Sequence, residues 1–184
     1  MSAAGGFFVR WRVRLGYPLA VAVLFLARPT PRSVLLGGIL GVLGLVVRAY
    51  AAGYLHKQEM LTTTGPYAHT RNPLYLGSAI LALGAGIATN SWFSASIVVL
   101  YFVIFYSIVM RREEKELLAR HGAQFEEYAR AVPLFFPRIT AAKLVGKSSG
   151  TFSLAQYRKN HEWQAAFGFL LLLAALLVIS RLRS

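Results

Sequence analysis

The chain contains no cysteine and no aspartate among its 184 residues, and these absences exclude several kinds of chemistry. Without cysteine there is no disulfide, no thiolate nucleophile, no zinc–thiolate centre and no palmitoyl anchor. All seven acidic residues are glutamates, only four histidines occur, and none of them follows a metal-ligand spacing such as HExxH. The sequence therefore predicts no metal site.

Acidic charge is scarce relative to basic charge, and apolar residues dominate. Twenty Lys and Arg residues against seven Glu give a formal net charge of +13, while 56% of residues are hydrophobic. With a mean hydropathy of +0.51, this composition is typical of an integral membrane protein. The basic residues lie in short segments between apolar runs rather than along one soluble face. This pattern predicts anionic lipid headgroups, rather than nucleic acid, as their partners.

Five apolar segments are candidates for crossing a bilayer, which takes about 20 residues or fewer with suitable flanking anchors. We expect an all-α integral membrane helical bundle, a single domain over residues 1–184, with about five transmembrane helices at 15–27, 34–54, 74–88, 92–110 and 163–179. The first segment also fits a signal peptide, although Ala27-Arg28-Pro29 is a poor cleavage site. Because only residues 89–91 join the third and fourth segments, these two must form a tight antiparallel hairpin.

The distribution of basic residues predicts the orientation of the bundle. If the five segments alternate across the membrane, sixteen of the twenty Lys and Arg residues lie on the side that holds the N-terminus. The positive-inside rule makes that side cytoplasmic and places the C-terminus outside.

Two polar clusters stand at the ends of apolar segments and fall on the same predicted cytoplasmic face. The first is GPYAHTRNPLYLG at residues 65–77, and the second is RREE at 111–114. Polar groups at membrane depth are costly and commonly functional, so the clusters predict a water-accessible pocket there. Simpler structural explanations remain open: interfacial anchoring by Arg71 and the tyrosines, and a solvated helix turn at 111–114.

The segment after the second cluster predicts a helix that leaves the membrane. Apolar residues recur at helical spacing between 111 and 128, with a break at Gly122, and VPLFFP at 132–137 cannot continue a helix. Its apolar residues are predicted to return to the bilayer surface.

The order of these elements resembles a known family. LTTTGPYAHTRNPLYLG, a hairpin, RREE and then HGxxFxxYxxxVPxFFP occur between residues 59 and 137. This arrangement is similar to that of the isoprenylcysteine carboxyl methyltransferase-like family, integral membrane methyltransferases related to the phospholipid methyltransferases. The resemblance implies S-adenosylmethionine as methyl donor, S-adenosylhomocysteine as product, and a cofactor pocket at the cytoplasmic face.

The resemblance also implies specific site residues. The family's arginine that faces the acceptor falls on Arg111 or Arg112, which makes these two the catalytic candidates. Two departures, Glu59 and Asn72 where the eukaryotic enzymes have histidine, indicate a different substrate. The family's cofactor-binding residues correspond to Glu59, Met60, Leu61, Thr62, Tyr67, Asn72, Pro73, Leu74, Tyr75, Glu113 and Glu114.

The chemistry of this set fits the implied reaction. The donor is a sulfonium cation with an α-amino group, so Glu113 or Glu114 offers a charge-assisted partner. The matched motif contains no obvious general base, which favours an acceptor that is already nucleophilic: a lipophilic or membrane-delivered carboxylate, thiol or amine. Two alternatives stay open at this stage, a non-enzymatic module that binds anionic lipid and a sterol-reductase-like membrane reductase.

Overall fold

A computed structural model describes residues 3–56, 60–143 and 150–183, and in these residues the chain is helical without any strand. Within these described residues, three helices are long and apolar enough to cross a membrane, Pro31–Tyr54, Trp92–His121 and Trp163–Leu182, and the apolar stretches Arg14–Leu26 and Pro73–Thr89 are shorter. The helices are α1 Ala3–Leu26, α2 Pro31–Tyr54, α3 Pro73–Thr89, α4 Trp92–His121, α5 Ala123–Ala131, α6 Leu154–Lys159 and α7 Trp163–Leu182, with a 3₁₀ turn at Gly65–Ala68.

Helices α2 and α3 form the closest pair in the bundle. A Cβ atom built on Gly84 would lie 2.6 Å from the carbonyl oxygen of Gly37 and 2.7 Å from the amide nitrogen of Gly41. The backbones of α2 and α3 approach each other as closely at a second point, between Gly44 and Gly77. Small residues are what allow helices in apolar surroundings to approach this closely.

The tight hairpin predicted between the third and fourth segments is confirmed. Asn90 takes a left-handed conformation with φ of 49°, which reverses the chain between α3 and α4. The Ser91 side chain then accepts a hydrogen bond from the Ser94 amide and so caps α4. Arg28 binds the same turn, since its amide donates to the Thr89 carbonyl at 2.8 Å.

Helix α4 continues without interruption well past the predicted span. It runs through the RREE cluster to His121 and ends at Gly122, whose φ is +50°, as the predicted break requires. α5 follows and buries Phe125 and Tyr128 against Leu61 and Val132. The antiparallel order of α2, α3, α4 and α7 brings residues near 50, 73, 113 and 163 to one end of the bundle.

Candidate functional site

A cavity of about 400 Å³ occupies the end of the bundle where α2, α3 and α4 meet the start of α7. Its walls come from these helices, from α5 and from the loop between α2 and α3. Ligand-binding sites commonly have volumes of about 300–1,000 Å³. The cavity is therefore large enough for a small molecule, and it lies at the end of the bundle to which both polar clusters belong.

The loop between α2 and α3 turns sharply to place its side chains in this wall. Gly65 has φ of +59°, and a Cβ atom there would collide with the ring of Tyr54, so both conformation and space require glycine. The 3₁₀ turn that follows buries Tyr67. Pro73 then starts α3 at its first turn, a position in which the missing amide hydrogen costs nothing.

A non-helical segment, residues 132–142, holds the loop from the outside. The Pro133 carbonyl accepts from the Arg71 amide at 2.9 Å, and the Leu134 carbonyl accepts from the Asn72 side chain at 3.0 Å. The Thr70 hydroxyl donates to the Phe135 carbonyl at 2.9 Å. Because VPLFFP leaves its carbonyls free of any helix, the segment satisfies the polar groups of the TRN motif. This contact gives a physical reason for the two motifs to occur together.

Glu113 and Glu114, neighbours on α4, serve two different contacts. The Glu113 carboxylate accepts a hydrogen bond from the Tyr75 hydroxyl at 2.6 Å and lines the cavity. Glu114 forms an ion pair with Arg71, and both side chains are mostly buried. The simple explanation, pairing within the helix turn, applies instead to Arg112, which binds Glu116 at 2.8 Å on an exposed surface.

The hydroxyl of Tyr67 is a buried polar group that has no hydrogen-bond partner within the described part of the chain. The Tyr67 side chain also lines the cavity. Burial, with the nearby Tyr128 and Glu162, raises the pKa of the Tyr67 hydroxyl well above its usual range, so it stays protonated. Burial likewise raises the pKa of Tyr128, whose hydroxyl donates to the Tyr67 carbonyl at 2.8 Å. A buried hydroxyl without a partner is costly unless a ligand supplies one.

Arg48 and Glu162 form an ion pair that was not predicted from the sequence. The Arg48 Nη2 and Nε atoms lie 2.6 Å and 2.9 Å from the same Glu162 oxygen, and the side chains are 17% and 8% exposed. Arg48 also contacts Ser78 and the Leu74 carbonyl. The position of Arg48 inside an apolar segment could have marked it as a site residue, because charged residues there are rarely tolerated without a function. Its partner, 114 residues away, was not visible from spacing.

The structure brings most of the predicted site residues together. Nine of them line the cavity: Met60, Leu61, Thr62, Tyr67, Asn72, Pro73, Leu74, Tyr75 and Glu113. Glu114 is absent from the lining but pairs with Arg71, which belongs to it. Arg111 and Arg112 are exposed and do not line the cavity, so their role toward the acceptor stays a prediction. Glu59 lies outside the described residues.

The lining also includes residues that the prediction lacked: Arg48, Leu55, His56, Arg71, Glu116, Leu117, Arg120, His121, Tyr128 and Glu162.

A second cavity, of about 550 Å³, lies among the apolar helices α1, α3, α4 and α7. Its lining is almost entirely apolar, with Ser78 and two tyrosines of α4 as the polar exceptions besides Arg48. Arg48 lines both cavities, so its side chain borders each of the two spaces.

Comparison with known proteins identifies relatives of this arrangement. Residues 33–124 match the model of a family described as phospholipid methyltransferase, which is half of the 184-residue chain. The chain is 36% identical over 126 residues to the cobalt-zinc-cadmium resistance protein CzcN of Cupriavidus metallidurans, covering 67% of this chain and 57% of that protein. It is 35% identical to the nickel-cobalt-cadmium resistance protein NccN of Alcaligenes xylosoxydans xylosoxydans, covering 76% and 70% respectively.

A third relative has an activity in its name. The chain is 33% identical over 84 residues to protein-S-isoprenylcysteine O-methyltransferase of Schizosaccharomyces pombe, covering 46% of this chain and 36% of that protein. No solved structure gives a significant match.

Proposed function

Because the chain belongs to the phospholipid methyltransferase family, we propose that it is a membrane methyltransferase that uses S-adenosylmethionine to methylate a lipophilic acceptor. The family resemblance predicted from the sequence is confirmed by this membership. The observation that carries the proposal is the first cavity, which gathers Glu113, the buried Tyr67 hydroxyl and the NPLY segment, residues 72–75, at one end of an apolar bundle.

The residues of this cavity fit the proposed donor. Glu113 supplies a carboxylate for the α-amino group, and the buried Tyr67 hydroxyl supplies a further hydrogen-bonding group. Met60, Leu61 and Leu117 provide apolar surface for the adenine ring. When bound, the donor offers a methyl group on a positively charged sulfur. The chain's own contribution is to position the two reactants and to exclude water from them.

The second cavity supports a lipophilic acceptor. It lies among the apolar helices and shares Arg48 with the first cavity, so an apolar molecule held there would lie next to the site of the methyl donor. Isoprenylcysteine O-methylation, in the name of one relative, concerns a carboxyl group on a lipid-bearing residue. The other two names refer to metal resistance and give no acceptor. The acceptor group predicted from the sequence is a carboxylate, a thiol or an amine.

Calorimetric titration of the purified protein with S-adenosylhomocysteine tests the proposal. We expect binding of S-adenosylhomocysteine and none of NADPH. Binding of the nicotinamide cofactor alone would favour a membrane reductase instead, and binding of neither would favour a module that only contacts anionic lipid. Incubation of membranes with methyl-labelled donor, followed by separation of lipid, protein and volatile fractions, then identifies the acceptor class.

A further inference from the structure

Arg48 borders both cavities, and this position concerns the acceptor of the proposed reaction. The guanidinium holds Glu162 through Nε and Nη2, and it contacts Ser78 and the Leu74 carbonyl through Nη1. Glu162 lines only the first cavity and Ser78 only the second. A molecule in the apolar cavity that reaches towards the donor cavity at this shared border therefore meets the cation.

The ion pair is one of at least two contacts between α7 and α2. The Phe169 ring of α7 packs directly on Gly41 of α2, leaving no room for a Cβ atom there, and so supplies an apolar contact between the two helices. A charge inside an apolar segment is costly, and an apolar pair would join the helices as well or better. The cation thus calls for a role besides adhesion.

We propose that Arg48 selects the acceptor and that Glu162 occupies its guanidinium until the acceptor arrives. This inference rests on the proposed function and adds two residues to it. The acceptor's carboxylate replaces that of Glu162 on the guanidinium of Arg48. This planar group presents a fork of N–H donors, which suits carboxylates better than thiols or amines. The acceptor's apolar chain lies in the second cavity among Leu19, Val23, Leu81, Val98, Phe102 and Leu172.

The charges balance through one turnover. A carboxylate oxygen of the acceptor bonds to the methyl carbon, the carbon–sulfur bond breaks, and its electron pair stays on the sulfur of the donor. The carboxylate becomes a neutral ester, the sulfonium becomes a neutral thioether, and no proton is released. A neutral ester no longer competes for the cation, so Glu162 returns to Arg48 and favours release of the methylated product.

Competition binding with a photoreactive fatty acid tests the roles of both residues. The probe is hexadecanoic acid bearing a diazirine, cross-linked to the purified protein and displaced by unlabelled hexadecanoic acid or by its methyl ester. We expect the wild-type protein to prefer the acid. R48Q should reduce this preference at least tenfold, and R48K should give an intermediate value because lysine lacks the fork.

The decisive variant is E162Q, because it distinguishes selection of the acceptor by Arg48 from a purely structural role of the Arg48–Glu162 ion pair. Removal of the competing carboxylate should strengthen binding of the acid by about tenfold while leaving the ester unchanged. Arg130 and Glu126 form an exposed pair, 3.7 Å apart, so R130Q and E126Q are matched controls and should change neither value. If E162Q weakens binding of the acid as R48Q does, or if the wild type does not distinguish acid from ester, Arg48 does not select the acceptor.

Titration of the same preparations with S-adenosylhomocysteine keeps the two proposals apart. Normal binding of S-adenosylhomocysteine with no preference for the acid overturns the role of Arg48 and leaves the methyltransferase standing. If the wild-type protein does not bind S-adenosylhomocysteine, the proposed function itself is overturned.

Discussion

At the scale of single residues, the two adjacent glutamates of α4 have separable contacts. Glu113 faces the cavity beside Tyr75, whereas Glu114 holds Arg71 and, through it, the loop that carries Tyr67. Successive helical residues point about 100° apart because a turn contains 3.6 residues, which explains how neighbours reach different partners.

Substitution of these glutamates should therefore have different effects. E113Q should weaken binding of S-adenosylhomocysteine by about ten- to a hundredfold, the value of a lost charged hydrogen bond, with little loss of stability. E114Q should instead lower the free energy of unfolding by about 1–3 kcal/mol. Calorimetry and thermal unfolding measure the two quantities. Unchanged affinity in the E113Q, E114Q double variant would place the donor elsewhere.

Tyr67 offers a sharper test, because its hydroxyl has no partner among the described residues. Y67F removes an unsatisfied buried group, so the ligand-free protein should be as stable as the wild type or slightly more stable. Affinity for S-adenosylhomocysteine should nevertheless fall by about two- to tenfold. Y128F, which loses a 2.8 Å hydrogen bond to the Tyr67 carbonyl, should lower stability by about 1 kcal/mol. A destabilised Y67F with normal affinity would show that this hydroxyl is structural.

At the scale of helices, the pairing of α2 with α3 depends on the glycines between them. G84A would place a Cβ atom 2.6 Å and 2.7 Å from backbone atoms of α2, which no rotamer change relieves. We expect a loss of about 1–3 kcal/mol or more in stability, measured by thermal unfolding in detergent. The matched variant G168A has no atom within 4 Å of its new Cβ and should leave stability unchanged or slightly higher. Equal effects of both variants would contradict close packing at Gly84.

These elements also show how far the sequence could predict the molecule. Apolar length located α2, α4 and α7, and Gly122 and residues 89–91 marked a helix end and a hairpin. The motif located nine of the nineteen residues that line the first cavity. The Arg48–Glu162 pair and the hydrogen bonds of residues 132–142 to the loop were not predicted, because they join residues far apart in the chain. Such contacts follow from how helices pack, and no local periodicity reports them.

At the scale of the whole molecule, the few acidic residues are unevenly distributed. The protein carries a net charge of +13, yet three of its seven glutamates line the first cavity and a fourth binds an arginine of that wall. The charged lining residues are Arg48, Arg71, Arg120, Glu113, Glu116 and Glu162, equal in number of each sign. A basic surface thus surrounds a cavity that does not repel a cationic donor.

The orientation of the bundle in the membrane is open to direct measurement. If the basic end is cytoplasmic, reporter fusions at Thr30 and Ser91 should report the outside, and a fusion at Gly122 should report the cytoplasm. These fusions also test whether the short apolar stretches Arg14–Leu26 and Pro73–Thr89 cross the bilayer. A cytoplasmic signal at Ser91 would overturn the five-span topology and the cytoplasmic placement of the cavity.

The position of Glu162 has a consequence for biogenesis. Every other residue that lines the first cavity lies between residues 48 and 128, so the ribosome delivers them before the segment that becomes α7. Until that segment emerges, Arg48 is a cation in an apolar helix without its carboxylate, a costly state in lipid. Insertion of α7 neutralises it. A chain halted before this step would therefore present membrane quality control with an exposed, uncompensated charge.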